Sequence, residues 1–286
     1  MVAAAAMAAA ALSGCGGGST VSSAQESVSS PFSRGARGIT VEVSRASGEP
    51  AAFVFSKGGA PLTAIPTQDT HRLLGFSTSA TNTAWPGSVR RNDASVRPSE
   101  RIVAYSDIEA ESGGTADDDY LLFGYWNSIG GTREVAPFYW GPMPYTADLP
   151  TAGAFSYSGG AAGQYRSSQA NSVGHFTADV RLAVDFGRAG GPVLDLAFDN
   201  FALRKITALD PPNAASWSFS SRSVPLTGPS FDRAAFSGDG GTWSARFFGP
   251  SRAAPTGVAG AFRDVPIPAS INPSGFSITG SYAATR

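Results

Sequence analysis

A chain of 286 residues is long enough to bury a sizeable core, as one large β domain or two modest ones. Its 21 basic and 22 acidic residues leave a formal charge of −1, which removes the basic footprint that nucleic-acid binding needs. A single cysteine, Cys15, excludes an intrachain disulfide, and two histidines, His71 and His175, leave little material for a histidine-built metal or catalytic site.

Val2 to Leu12 is an apolar, Ala-rich run, too short to cross a bilayer as a helix. It leads directly into Leu12-Ser13-Gly14-Cys15. This resembles a bacterial lipoprotein signal, in which small residues precede a cysteine that becomes the lipidated N-terminus. On that reading residues 1–14 are a signal peptide and Cys15 is the lipidation site. No Lys or Arg precedes the run, a departure that leaves the true start open; the alternative is an Ala-rich disordered tail. Residues 15–37 then form a flexible tether, since Gly16 to Ser30 (GGGSTVSSAQESVSS) is too poor in apolar residues to fold alone. No aspartate follows Cys15, which by the same resemblance favours the outer membrane over the inner one.

From Gly38 the pattern alternates. Ile39, Val41 and Val43 predict a first strand and Ala52 to Ser56 a second, with turn residues between them. Thr81 to Pro98, polar and carrying Pro86 and Pro98, is expected to be an exposed loop. Arg101 to Ile108 (RIVAYSDI) and Tyr120 to Trp126 (YLLFGYW) predict strands. Asp117, Asp118 and Asp119 lack the glycine and late glutamate of an EF-hand loop, so a solvated turn is expected there. Ala136 to Tyr145 (APFYWGPMPY) packs aromatics with prolines, which lack the ladder donor, so no ladder strand is expected. Its rings either pack on a neighbouring barrel, the favoured reading, or form an exposed binding patch of Phe138, Tyr139, Trp140 and Tyr145.

Beyond Thr151 strands recur. Ala154 to Tyr157 opens, and Gly159 to Gly163 is expected to bend or bulge the chain before Gln164 to Arg166. Gly174 to Gly187 (GHFTADVRLAVDFG) is the clearest strand. Phe176, Ala178, Val180, Leu182, Val184 and Phe186 share one parity, while His175, Thr177, Asp179, Arg181 and Asp185 share the other. Arg188 to Gly191 turns into Val193 to Leu203. Segments at Ser216 to Ser220, Phe231 to Phe236, Thr242 to Phe248, Thr256 to Arg263 and Gly275 to Ala284 follow. About eight strands suit a small antiparallel barrel whose interior is filled by side chains.

The run TAGAFSYSGGAAGQY (151–165), VRLAVDFG (180–187), RFFGP (246–250), GVAGAF (257–262) and the closing GSYAATR resemble the β-barrel domain of transferrin-binding protein B-like lipoproteins. VAYSDIEA (103–110) and YLLFGYW are similar to the handle region of single-lobe members. The resemblance implies an all-β chain: a β-rich handle domain over 38–148 and an eight-stranded antiparallel β-barrel over 149–286. It implies a monomeric, lipid-anchored protein at the outer membrane, displayed on the cell surface or facing the periplasm. Such a protein binds a protein or small-molecule ligand in iron or nutrient acquisition. The alternative is a structural, adhesive or immune-evasion envelope lipoprotein.

Haem capture would use His or Tyr ligands, but His175 lies on a polar strand face and His71 in a polar segment, so both are expected to be ordinary exposed histidines. No Gly-x-Ser-x-Gly elbow, paired-histidine motif or P-loop occurs, so no enzyme, metal or cofactor is expected. An integral outer-membrane barrel would turn its apolar parity to lipid. The lipobox would then be redundant, and many strands are short and rich in Ser, Gly and Ala.

Overall fold

The computed structural model describes residues 26–29, 39–46, 49–57, 60–66, 89–97, 100–107, 121–128, 135–141, 145–167, 173–205, 217–235, 241–249, 254–267 and 275–286. Among them the regular structure is entirely antiparallel β, with no helix, and it falls into three sheets.

The first sheet pairs β1 (Glu26–Ser29), β2 (Ile39–Ala46), β3 (Glu49–Lys57) and β4 (Ala60–Pro66) in chain order. The second pairs β5 (Val89–Arg97), β6 (Glu100–Asp107), β7 (Leu122–Ser128) and β8 (Val135–Trp140), again in chain order. Two expectations are corrected here. The loop expected over Thr81 to Pro98 contains β5, which occupies a sheet edge, where one partner suffices and polar residues are tolerated. The proline-rich Ala136 to Tyr145 stretch supplies β8, with Pro137 standing opposite Tyr125 in the ladder. β8 is the other edge of its sheet, the place where a residue without an N–H does least harm.

The third sheet is built from β9 (Ala154–Ser167), β10 (Val173–Asp185), β11 (Val193–Lys205), β12 (Phe219–Pro225), β13 (Ser230–Ala235), β14 (Thr242–Phe248), β15 (Gly257–Pro266) and β16 (Phe276–Thr285). Their spatial order is β12-β11-β10-β9-β16-β15-β14-β13. Two four-stranded meanders are thus joined through their first and last strands, in register from Ser158↔Thr285 to Ser167↔Phe276.

This sheet is curled. β11 and β15 stand four places apart, which in a flat sheet is roughly 19 Å. Yet the rings of Phe198 on β11 and Phe262 on β15 have centroids 5.0 Å apart. Phe186, one residue past the end of β10, and Phe247 on β14, four places from β10, meet at 6.0 Å. The concave side encloses one apolar cluster holding Tyr157, Tyr165, Phe176, Leu182, Phe198, Trp217, Trp243, Phe262 and Tyr282. Large side chains such as these each contribute roughly 1.5–3 kcal/mol on burial.

The expected eight-stranded barrel is seen in part. Among the described residues no ladder joins β12 to β13, the two ends of the sheet. A short link, 226–229, ties them at one end, with Leu226 N–H bonding to Pro192 O and Phe247 N–H to Pro229 O. Both edge strands also carry a register shift, β12 opposite Leu194 and Leu196 and β13 between Phe231 and Ala234. Such bulges twist a strand and end its pairing.

Three bulges share a device. Among the described residues Asn200, Ser223 and Asp264 are the non-glycine residues at positive φ, near 50°, and each sits in a strand whose partner is one residue shorter. In each case a side chain ties the bulge to its neighbour. Asn200 Nδ2 donates to Asp179 Oδ2 (2.7 Å), Ser223 N–H to Asp195 Oδ1 (2.6 Å), and Asp264 N–H to Thr279 Oγ1 (3.1 Å). The bulge in β11 moves Phe201 rather than Asn200 onto the concave side, where it meets Phe176 at 5.4 Å. No such irregularity marks the glycines of β9, contrary to expectation, for β9 pairs with β10 without a shift. Gly163 and Gly280 face each other in register instead, and a Cβ at either would press on Phe176 or Phe262. Phe176 and Phe262 are their direct partners on the adjacent strands β10 and β15, and the missing side chains make room for those rings.

Candidate functional site

The convex wall of the curled sheet divides into a covered strip and an open one. On the covered strip, Ala162, Ala259, Ala261 and Ala283 share one cluster with Val103, Tyr105, Leu121, Phe123, Tyr125, Val135 and Tyr139 of the second sheet and its approach. Alanines let the second sheet approach closely, and the aromatic rings then fill the space between. Tyr105 and Phe123 stack at 5.3 Å. Ser281 Oγ–H donates to Gly124 O at 2.6 Å, across the two sheets. Tyr125 hydroxyl and His175 Nδ1 share a 2.6 Å hydrogen bond, and their rings stack 5.4 Å apart.

His175 is therefore buried, at 9% exposure, and the expectation of an ordinary exposed histidine is corrected. Strand alternation did place it on the convex face; what the pattern omits is the second sheet lying over that face. His71, Cys15, and Asp117 to Asp119 lie outside the described residues.

The four aromatics proposed as a binding patch are interior. Phe138 and Trp140 have no exposed surface, and Tyr139 and Tyr145 retain 8% and 3%. Tyr139 belongs to the cluster beneath the second sheet, whereas Tyr145 belongs to the concave core. Tyr145 N–H bonds to Phe247 O at 2.9 Å, which pins the chain to β14 as it enters the curled sheet. β8 is buried on both faces, and its far side lies near β2 and β1. Packing, the favoured reading of these rings, is what the geometry provides, and the exposed patch is corrected.

The open strip runs over the second half of β10, the facing first half of β11 and onto β12. Arg181 Nη2 donates to both carboxylate oxygens of Asp199, at 2.9 and 2.6 Å, with the arginine exposed and the aspartate half-buried. Arg188 Nη1 donates to Ser223 Oγ at 3.2 Å, beside the Asp195 that holds the β12 bulge. An exposed pair of this kind contributes roughly 0–1 kcal/mol. The strip is a solvated charged face, opposite in polarity to the lipid-facing wall of a membrane barrel. No helix of the described structure is long and apolar enough to cross a membrane.

The concave core carries the remaining titratable candidates. Burial pushes the Tyr157 phenol up to about 12, only partly offset by the Arg286 charge. Burial also raises Tyr165, and raises Tyr282 well above the ordinary phenol value. Tyr157 O–H donates to Pro255 O at 2.8 Å and Tyr282 O–H to Ser244 O at 3.0 Å. Both phenols are buried and spend their hydroxyl protons on backbone carbonyls. Among the described residues no three His, Cys, Asp or Glu side chains converge as metal ligands would.

Comparison with protein-family models, curated proteins and solved structures returns no match to this chain.

Proposed function

We propose that this chain is an envelope lipoprotein, anchored through Cys15, that presents an all-β body as a non-enzymatic binding scaffold of the transferrin-binding protein B-like kind. The observation that carries the reading is Leu12-Ser13-Gly14-Cys15 followed by a Gly/Ser-rich segment ahead of a strand-rich body. Support also comes from the inward apolar core and the charged convex strip, which suit a body held beside a membrane. On this reading the second sheet belongs to the handle and the curled sheet is the barrel, with β12 and β13 at its seam. The ligand is a protein or small molecule taken up in iron or nutrient acquisition, held by loops on a rigid scaffold.

The test is expression of the full chain and its Cys15→Ser variant in a Gram-negative host. Mass spectrometry is expected to find a diacylglyceryl group on Cys15, and the variant is expected to leave the membrane fraction without detergent. A bare thiol in the mature wild-type chain would overturn the anchor. A pull-down from serum or spent medium, with a haem titration alongside, addresses the ligand; no haem-induced spectral change is expected, given the covered His175.

A further inference from the structure

β1 (Glu26–Ser29) falls inside residues 15–37, the stretch that composition marks as a tether, and it is the first described element after Cys15. It pairs antiparallel with β2, from Glu26↔Val43 to Ser29↔Thr40. The register is the one that patterning would choose. Val28, the one apolar residue of ESVS, stands opposite Val41, which in turn stands opposite Phe55 on β3. A slip by one residue would put a serine in that row instead.

β1 is also tied into the layers of the body. With β2 it lies near the far side of β8, and β8 lies against β15 and β16 of the curled sheet. The layers therefore run from first sheet to second sheet to curled sheet, and the chain coming from Cys15 joins this stack at its first layer. Covalent geometry then sets a length. Cys15 to Glu26 spans at most roughly 40 Å of extended chain, whereas Cys15 to Ile39, the start of β2, spans at most roughly 85 Å. Pairing of β1 with β2 thus halves the reach of a body fixed at Cys15.

We propose that β1 is a clasp, docking the anchoring segment onto the first sheet, so that this sheet is held within about 40 Å of the lipid surface. The inference rests on the reading of Cys15 as the anchor. On it the first sheet, not the curled one, is the part of the body fastened to the membrane.

The test makes the anchor chemically, so it reads the clasp even if cells leave Cys15 bare. Cys15 is the sole thiol, and the full chain couples through it to a maleimide-headgroup lipid in a supported bilayer. Amide hydrogens of Glu26–Ser29 are expected to exchange at least about tenfold more slowly than in a free peptide of the same sequence. Neighbouring N–H groups in a strand point to opposite sides, so Ser27→Pro combined with Val28→Pro must remove a donor from the β1–β2 ladder. That variant is expected to lose the protection of Glu26 and Ser29 with its far-UV circular dichroism retained. Neutron reflectometry should then find the protein layer roughly 10 Å further from the headgroups. Exchange of β1 at the free-peptide rate in the unmodified chain overturns the clasp, as does a layer that stays in place once the prolines have freed β1. The first reading needs no variant, so it holds even if the double-proline chain fails to fold.

Discussion

The two halves of β10 lie in one strand, on one sheet, yet live in different surroundings. From Val173 to Val180 nearly every residue is buried, Thr177 alone being half-buried. From Arg181 to Asp185 burial alternates strictly, with Arg181, Ala183 and Asp185 exposed and Leu182 and Val184 buried. The concave parity is the same throughout; what changes is the lid of aromatic rings on the convex side. Alternation in sequence therefore reports the core that a sheet wraps, and says nothing of a second layer that lands on its back.

The comparison can be broken most severely at its shared side. Leu182→Asp puts a carboxylate into the concave core and is expected to abolish folding, seen as loss of the β signal in circular dichroism, whereas Ala183→Asp next door should shift stability by no more than about 0.5 kcal/mol. On the covered strip, Ala261→Glu buries a charge beneath the second sheet and is expected to destabilise by about 3–5 kcal/mol in urea titration. Thr177→Asp sits at the boundary: alternation alone makes it nearly silent, but its half-buried position facing Ala162 predicts a loss of about 1–2 kcal/mol.

Alkali sharpens the same contrast. The folded state keeps Tyr157 protonated to about 12 while the unfolded chain ionises near 10, so stability is intact below pH 10 and declines as the pH climbs through that window. Absorbance at the phenolate band should rise together with unfolding. A modest effect is expected on the open strip: Asp195→Ala removes the acceptor for Ser223 N–H at the β12 bulge and should lower the unfolding free energy by about 1 kcal/mol.

Much of the curled sheet was legible because its signal is periodic. Phe176 to Phe186, Trp243 to Phe247 and Phe276 to Tyr282 alternate with little interruption, and all of them line the concave core. What escaped notice were features set by neighbours in space. The β11 bulge swaps Asn200 for Phe201 on the inner face, a change that the residues NFAL do not announce by themselves. Pro137 reads as a strand breaker until the edge position of β8 is known. The Tyr125–His175 contact spans 50 residues of sequence, and the sole local hint was a histidine on an otherwise well-behaved strand. Of the aromatics singled out at 138–145, the choice between packing and exposure turned on partners that no local pattern names.

The join between β9 and β16 has a bearing on how the molecule is made. The strand that unites the two meanders comes last of the eight in chain order, so β9 waits for its second neighbour through synthesis of everything between. A chain stopped short of Phe276 would leave β9 and β15 with naked backbone edges, a ready mark for cellular quality control and a hazard for clumping.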